Sequence, residues 1–171
     1  IYSGVDNMTE LTQARLKDLL HYNPDTGIFI WIASLKNGVR IGSVAGTLDS
    51  GYIRIKIQGR LYLAHRLAWL YTYREWPKDQ IDHINMFKND NRISNLREAT
   101  RSENFANRRT YANSVSGLKG ASWKKSRGKW QADITINGKS KYLGLFTTKQ
   151  EAHAAYCKAA DEHHGEFANH G

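Results

Sequence analysis

The sequence predicts an α+β chain of small antiparallel sheets and short helices, and three stretches carry that expectation. Residues 52–63 alternate as Tyr52-Ile53-Arg54-Ile55-Lys56-Ile57, turn at Gln58-Gly59 and resume with Leu61-Tyr62-Leu63, the pattern of a hairpin with one buried face. Residues 119–146 hold three strand-like runs, two of them joined by Asn137-Gly138, the strongest short hairpin signal. Thr148 and Glu151 then stand at capping-box spacing before Ala152, Ala155, Tyr156, Ala159 and Ala160, an apolar stripe at helical spacing.

Taken in order, residues 1–8 are polar and aperiodic, and are expected to be a disordered start or one foreign to the native chain. From Thr9, the positions Leu11, Ala14, Leu16, Leu19 and Leu20 predict an amphipathic helix that ends near Tyr22, because Asn23-Pro24 cannot continue it. Asp25-Thr26-Gly27 turns the chain into a strand, Ile28-Phe29-Ile30-Trp31-Ile32. Gly38, Gly42, Gly46 and Gly51 punctuate the approach to the hairpin. In the hairpin Ile53, Ile55 and Ile57 are expected to be buried, while Arg54 and Lys56 project from the other face, either solvated or against phosphates. The run from His65 to Tyr71 reads as a helix closing before Pro77, with His65 a hydrogen-bonded structural residue.

Ile81-Asp82-His83-Ile84 is short enough for one strand, and Asn89-Asp90-Asn91 is a turn. Ser94 or Asn95 is expected to cap a helix that starts near Leu96 and runs through Asn107. Residues 110–118 are small and polar, a linker. In the last sheet Trp130, Ala132 and Ile134 are expected under the helix, with Gln131, Asp133 and Thr135 on the other face. Lys119, Lys124, Arg127, Lys129, Lys139 and Lys141 make the open side and its turns basic.

Composition narrows the partners. The 171 residues carry 25 Lys and Arg against 16 Asp and Glu, a net +9 spread along the chain, which suits a protein lying along a polyanion. No apolar run approaches the roughly 20 residues that span a bilayer, and the opening residues lack the basic-then-apolar order of a signal peptide. A single cysteine, Cys157, rules out an internal disulfide framework and fits a reducing, cytoplasmic compartment. It also leaves no Cys/His pairs at zinc-finger spacing, so His153, His163, His164 and His170 read as surface residues.

The densest chemistry lies in residues 81–109, where Asp82-His83 is followed by DNRISNLREAT and TRSEN. This stretch resembles the HNH endonuclease family, in the branch of phage and intron-encoded homing and nicking enzymes with a ββα-metal site. Asp82-His83, Asn95 and Asn104 fall on its motif positions, with Asn104 where other branches have a histidine. Residues 15–109, including DTGIFIW and YLAHRLAW, resemble the leader of phage members. Residues 117–169 resemble the APETALA/ethylene-response-factor DNA-binding domain through KGASW, GKWQADI, YLGLFTTKQEAHAAYCKAA and GEFAN.

These resemblances imply a nuclease region at 9–109 with its ββα motif at 81–109, a linker at 110–118 and a DNA-binding domain at 119–169. They imply Asp82 and Asn104 as ligands of one divalent cation, Mg²⁺ or Mn²⁺, and His83, held by Asn95, as the base that deprotonates water. Lys119, Ser122, Lys124, Asp133, Thr135, Ser140 and Tyr142 fall on the groove-reading face of the sheet, and Arg54, Lys56, Arg97, Arg101, Arg108 and Arg109 are candidate contacts to double-stranded DNA. One site per chain implies a nick by a monomer in a bacterial or phage-infected cell, with no protein partner and no membrane. A restriction-type nuclease and a DNA-binding regulator on a decayed nuclease scaffold are the rival expectations.

Overall fold

The computed structural model describes residues 11–34, 39–110 and 114–171. The expected disordered start at 1–8, the helix start at Thr9, Gly38 and residues 111–113 of the expected linker lie outside them. The fold is α+β, and it divides into two compact units: Ile1–Lys78 with Phe87–Leu96, and Asp79–Met86 with Arg97–Gly171.

In the first unit Thr12 caps helix α1 (Gln13–Leu19), its side chain accepting from Arg15 N. The helix is shorter than the sequence suggests, because Leu20 leaves it to begin strand β1 (Leu20–Asn23), paired antiparallel with β2 (Ile28–Trp31). Leu20 and Tyr22 are buried as alternate strand residues, and Leu20 also follows Leu16 at helical spacing, which is why periodicity misplaced it. The turn between the strands is built on Asn23, whose Oδ1 accepts from the backbone N–H groups of Asp25 and Thr26. Strands β3 (Thr47–Asp49), β4 (Tyr52–Ile57) and β5 (Arg60–Leu63) form a second antiparallel sheet in that order, with Ile55 and Ile57 buried and Lys56 exposed. Helix α2 (Ala64–Tyr73) follows and closes on the left-handed Arg74. It buries His65 within 5.4 Å of the Tyr52 ring.

Tyr22 ties the loop of residues 87–96 to this unit. Its ring stacks on Phe29 at 4.6 Å, and its hydroxyl donates to Asn91 O at 2.6 Å. Burial pushes the phenol pKa up, which keeps it a donor. Ile93 N also donates to Pro24 O. Where the loop crosses the hairpin turn, a Cβ on Gly27 would lie 2.5 Å from Arg92 N, and Gly27 itself is at φ +73°.

The second unit begins with β6 (Gln80–His83), paired with β7 (Leu96–Ala99) and followed by α3 (Arg101–Ala106). The helix expected from Leu96 thus starts five residues later. Thr100 and Glu103 form a full capping box that fixes the first turn, and this frees residues 96–99 to pair as a strand. Strands β8 (Ala121–Lys124), β9 (Lys129–Ile136) and β10 (Lys139–Phe146) form an antiparallel sheet with β9 in the centre. Asn137 and Gly138 both adopt positive φ in the β9–β10 turn, as the hairpin signal requires. Helix α4 (Lys149–His164) covers the sheet, capped by Thr148 and Glu151 and ended at Gly165. Its Ala152, Ala159 and Ala160 and its Tyr156 pack over Ala132 and Ile134. The small side chains let helix and sheet approach closely.

Replacing Gly27 by Ala adds both the steric clash and a strained backbone. It is expected to lower unfolding stability by about 1–3 kcal/mol, read from urea titration, and an unchanged midpoint would refute the close approach.

Candidate active site and nucleic-acid interface

Alternation along β6 places Gln80 and Asp82 on one side of the strand. Helix α3 lies along that side, because Asn104 and the C-cap residue Asn107, three positions apart, share a helix face. Asn104 Nδ2 donates to Gln80 Oε1 at 2.7 Å. Asn107 Nδ2 lies 3.0 Å from both carboxylate oxygens of Asp82 and from His83 O.

Asp82 is only 4% exposed. A carboxylate this buried needs charge compensation, and Arg97 of β7 supplies it. Its Nε and Nη2 each lie 2.9 Å from Oδ2, so the guanidinium converges on one oxygen instead of straddling both. His83 is buried at the end of β6, where its carbonyl also accepts from Met86 N. Asn95 sits in the first unit, at the end of a single 3-10 turn (Ile93–Asn95). Its Nδ2 donates to Asp90 O at 2.8 Å, which leaves the side-chain oxygen as the acceptor.

Asp82 and His83 of the expected site lie on β6 and Asn104 on α3, where Asn104 meets Gln80 and Asn107 meets Asp82. Two residues in it escaped the sequence reading. Arg97, a candidate DNA contact in the sequence, holds Asp82, and Asn107, expected only as the end of a helix, bonds it as well. The signal for both was the Thr100-x-x-Glu103 capping box, which makes residues 96–99 a strand and puts Asn104 and Asn107 on one helix face.

The donors fit a hard cation. Among the described residues no three His, Cys, Asp or Glu side chains gather as metal ligands. Asp82 offers carboxylate oxygens, and Asn104, with its amide nitrogen committed to Gln80, offers an amide oxygen. Such an all-oxygen set suits a hard divalent cation. Arg97 is the competitor any such cation meets at Oδ2.

The basic and sheet-face residues converge on two grooves of the second unit. One, of about 320 Å³, is lined by Phe105, Arg108, Arg109, Ser122, Asp133 and Thr135 among others. The other, of about 760 Å³, includes Arg101, Ser102, Phe105, Thr135 and Asn137. Register places Ser140 opposite Thr135, Tyr142 opposite Asp133 and Ser122 opposite Gln131, so these residues share the sheet face away from α4. Lys124 pairs with Lys129 at the end of that face. Lys141 does not join it: opposite Ile134, it points towards α4, with Nζ 3.2 Å from His163 Nε2. Lys119 Nζ donates to Ala106 O and Arg108 O at 2.6 and 2.5 Å, closing the C-terminal end of α3. In the first unit Arg54 Nε lies 3.0 Å from Asp49 Oδ2, and Lys56 is exposed.

Residues 62–106 match the HNH endonuclease family, a span that includes Asp82, His83, Asn95, Arg97 and Asn104 and stops one residue short of Asn107. Over 105 residues the chain is 37% identical to Protein 3.8 of Escherichia phage T7, covering 55% of this chain and 87% of that protein.

Two outcomes follow from the buried cations. Arg97→Met strands the Asp82 carboxylate and is expected to cost about 3 kcal/mol of unfolding stability; a neutral substitution would show the pair to be incidental. At Lys119 burial penalises the charged form, outweighing the neighbouring Cys157, and holds the pKa at about 8, below the ordinary 10.5. Between those values the unfolded chain binds a proton there that the folded chain does not, so stability from this position rises with pH. Wild type should gain on Lys119→Met in thermal unfolding across that range, and a constant difference would contradict the assignment.

Proposed function

The chain belongs to the family of phage T7 Protein 3.8 and carries an HNH endonuclease domain, and from that premise we propose that it is a metal-dependent endonuclease of duplex DNA. The finer reading is a site-specific nicking homing enzyme, acting as a monomer in the cytoplasm of a phage-infected cell. What supports the endonuclease reading is the position of Asp82 and His83 on β6 and of Asn104 on α3, all inside the matched segment. Among the described residues no helix is long and apolar enough to cross a membrane.

In this reading Asp82 and Asn104 would hold one Mg²⁺ or Mn²⁺, which would supply positive charge to the scissile phosphate. His83 in its neutral form takes the proton from the attacking water. Asn95 is assigned the orienting role towards His83. Asn107 fixes the rotamer of Asp82.

Duplex DNA is engaged by the open face of the APETALA-like sheet through Ser122, Lys124, Asp133, Thr135, Ser140 and Tyr142. Arg101, Arg108 and Arg109 take phosphates along the adjoining grooves. Lys119 acts from beneath by holding the end of α3, and Arg54 and Lys56 are further phosphate contacts. The second reading, a DNA-binding regulator on a decayed nuclease scaffold, draws on one feature: the Asp82 carboxylate is already neutralised by Arg97.

Supercoiled plasmid carrying a cognate site separates the two. Relaxed circles that need Mg²⁺ or Mn²⁺, and are lost in His83→Ala while DNA retention in a gel is kept, support the nuclease. Retention that weakens steeply with salt, with no cleavage in any divalent cation, supports the regulator.

A further inference from the structure

The segment after α4 returns to the two residues that hold Asp82. Gly165 ends the helix, and a single 3-10 turn (Gly165–Phe167) carries the chain to Asn169. Phe167, buried, sets its ring 3.8 Å from Arg97 Cζ. Glu166 O accepts from Arg97 Nη1 at 2.7 Å. The guanidinium is thus clamped on the side away from Asp82, by a π face and a carbonyl, with only Nε and Nη2 left for the carboxylate.

Asn169 does the same for the other partner. Its Nδ2 donates to Asn107 O at 3.0 Å and lies 3.3 Å from Asn107 Oδ1. With that oxygen engaged, the amide of Asn107 must turn its Nδ2 towards Asp82. Tyr156 OH holds the strap by donating to Asn169 O at 3.3 Å.

We propose that residues 165–169 are a positioning strap for the catalytic carboxylate, acting through Arg97 and Asn107 to present Asp82 to a divalent cation. The consequence lies in which oxygen Arg97 takes. A free guanidinium favours two parallel bonds, one to each carboxylate oxygen, and that arrangement would cover both. Held in place by Glu166 O and the Phe167 ring, the guanidinium sits with both Nε and Nη2 on Oδ2, and Oδ1 is left to the hard cation beside a single amide hydrogen bond. Phe167 and Asn169 are positioning residues in this scheme, and neither touches substrate. The inference rests on reading Asp82 as a metal ligand.

The test uses the full chain with wild type, Asp82→Asn, Phe167→Ala, Phe167→Tyr and Asn169→Ala. Mn²⁺ binding is followed by the paramagnetic resonance of free Mn²⁺, and plasmid nicking is measured against Mn²⁺ concentration. Partners that orient a metal ligand are worth about 10–100-fold in affinity. Phe167→Ala and Asn169→Ala should therefore raise the half-saturating Mn²⁺ concentration about tenfold or more in both assays. Maximal nicking at saturating Mn²⁺ should be largely kept, and Phe167→Tyr should restore the wild-type curve. Circular dichroism reports folding; if Phe167→Ala unfolds, Asn169→Ala decides. Strap variants that fold and bind Mn²⁺ like wild type, while Asp82→Asn binds less, overturn the strap alone. Asp82→Asn binding Mn²⁺ like wild type overturns the metal-ligand reading on which the strap depends.

Discussion

A carboxylate placed almost wholly out of water has to be neutralised, and much of the second unit is arranged to do that for Asp82. Arg97 brings the charge, Asn107 brings a donor, and each must itself be held. The guanidinium fork comes from β7 and the amide from the cap of α3, so the strand–strand–helix order of the motif is what lets both reach one oxygen pair. Strands and helix are short, and none of them would be stable alone. In the same unit Arg97 is held further by Glu166 O and Asn107 by Asn169.

The parts of this arrangement that sequence could reveal are those with local causes. The hairpin at 52–63, the Asn137-Gly138 turn and the Thr148-Glu151 capping box are written in a few adjacent residues, and the structure has them where they were expected. The motif positions Asp82, His83 and Asn104 were legible through family resemblance. Arg97 and Asn107 were not, because their roles depend on a long-range pairing, that of residues 96–99 with 80–83. An arginine in a basic protein reads first as a phosphate contact, and the partner that overrides this is fifteen residues away. The same ambiguity misplaced Leu20, which follows Leu16 at helical spacing and precedes Tyr22 at strand spacing. Only pairing with residues 28–31 decides between them.

Lysines show the limit of counting charge. Lys119, Lys124 and Lys141 contribute equally to a net of +9, yet they do three different things. Lys124 stands at the end of the open sheet face, Lys141 points towards α4, and Lys119 is spent on the carbonyls that end α3. A positive sequence fixes the sign of the partner, while the pleat of the sheet decides which cations can meet it.

The division into units has a consequence for how such a chain can be inherited. The chain passes between the units at residues 78–79, 86–87 and 96–97, so the strand with Asp82 and the loop with Asn95 are threaded through each other in sequence. No single recombination breakpoint can transfer one unit whole. A crossover anywhere in residues 79–96 would splice a strand from one parent to a loop from another. An exchange that keeps both units intact must therefore carry residues 79–96 as one block.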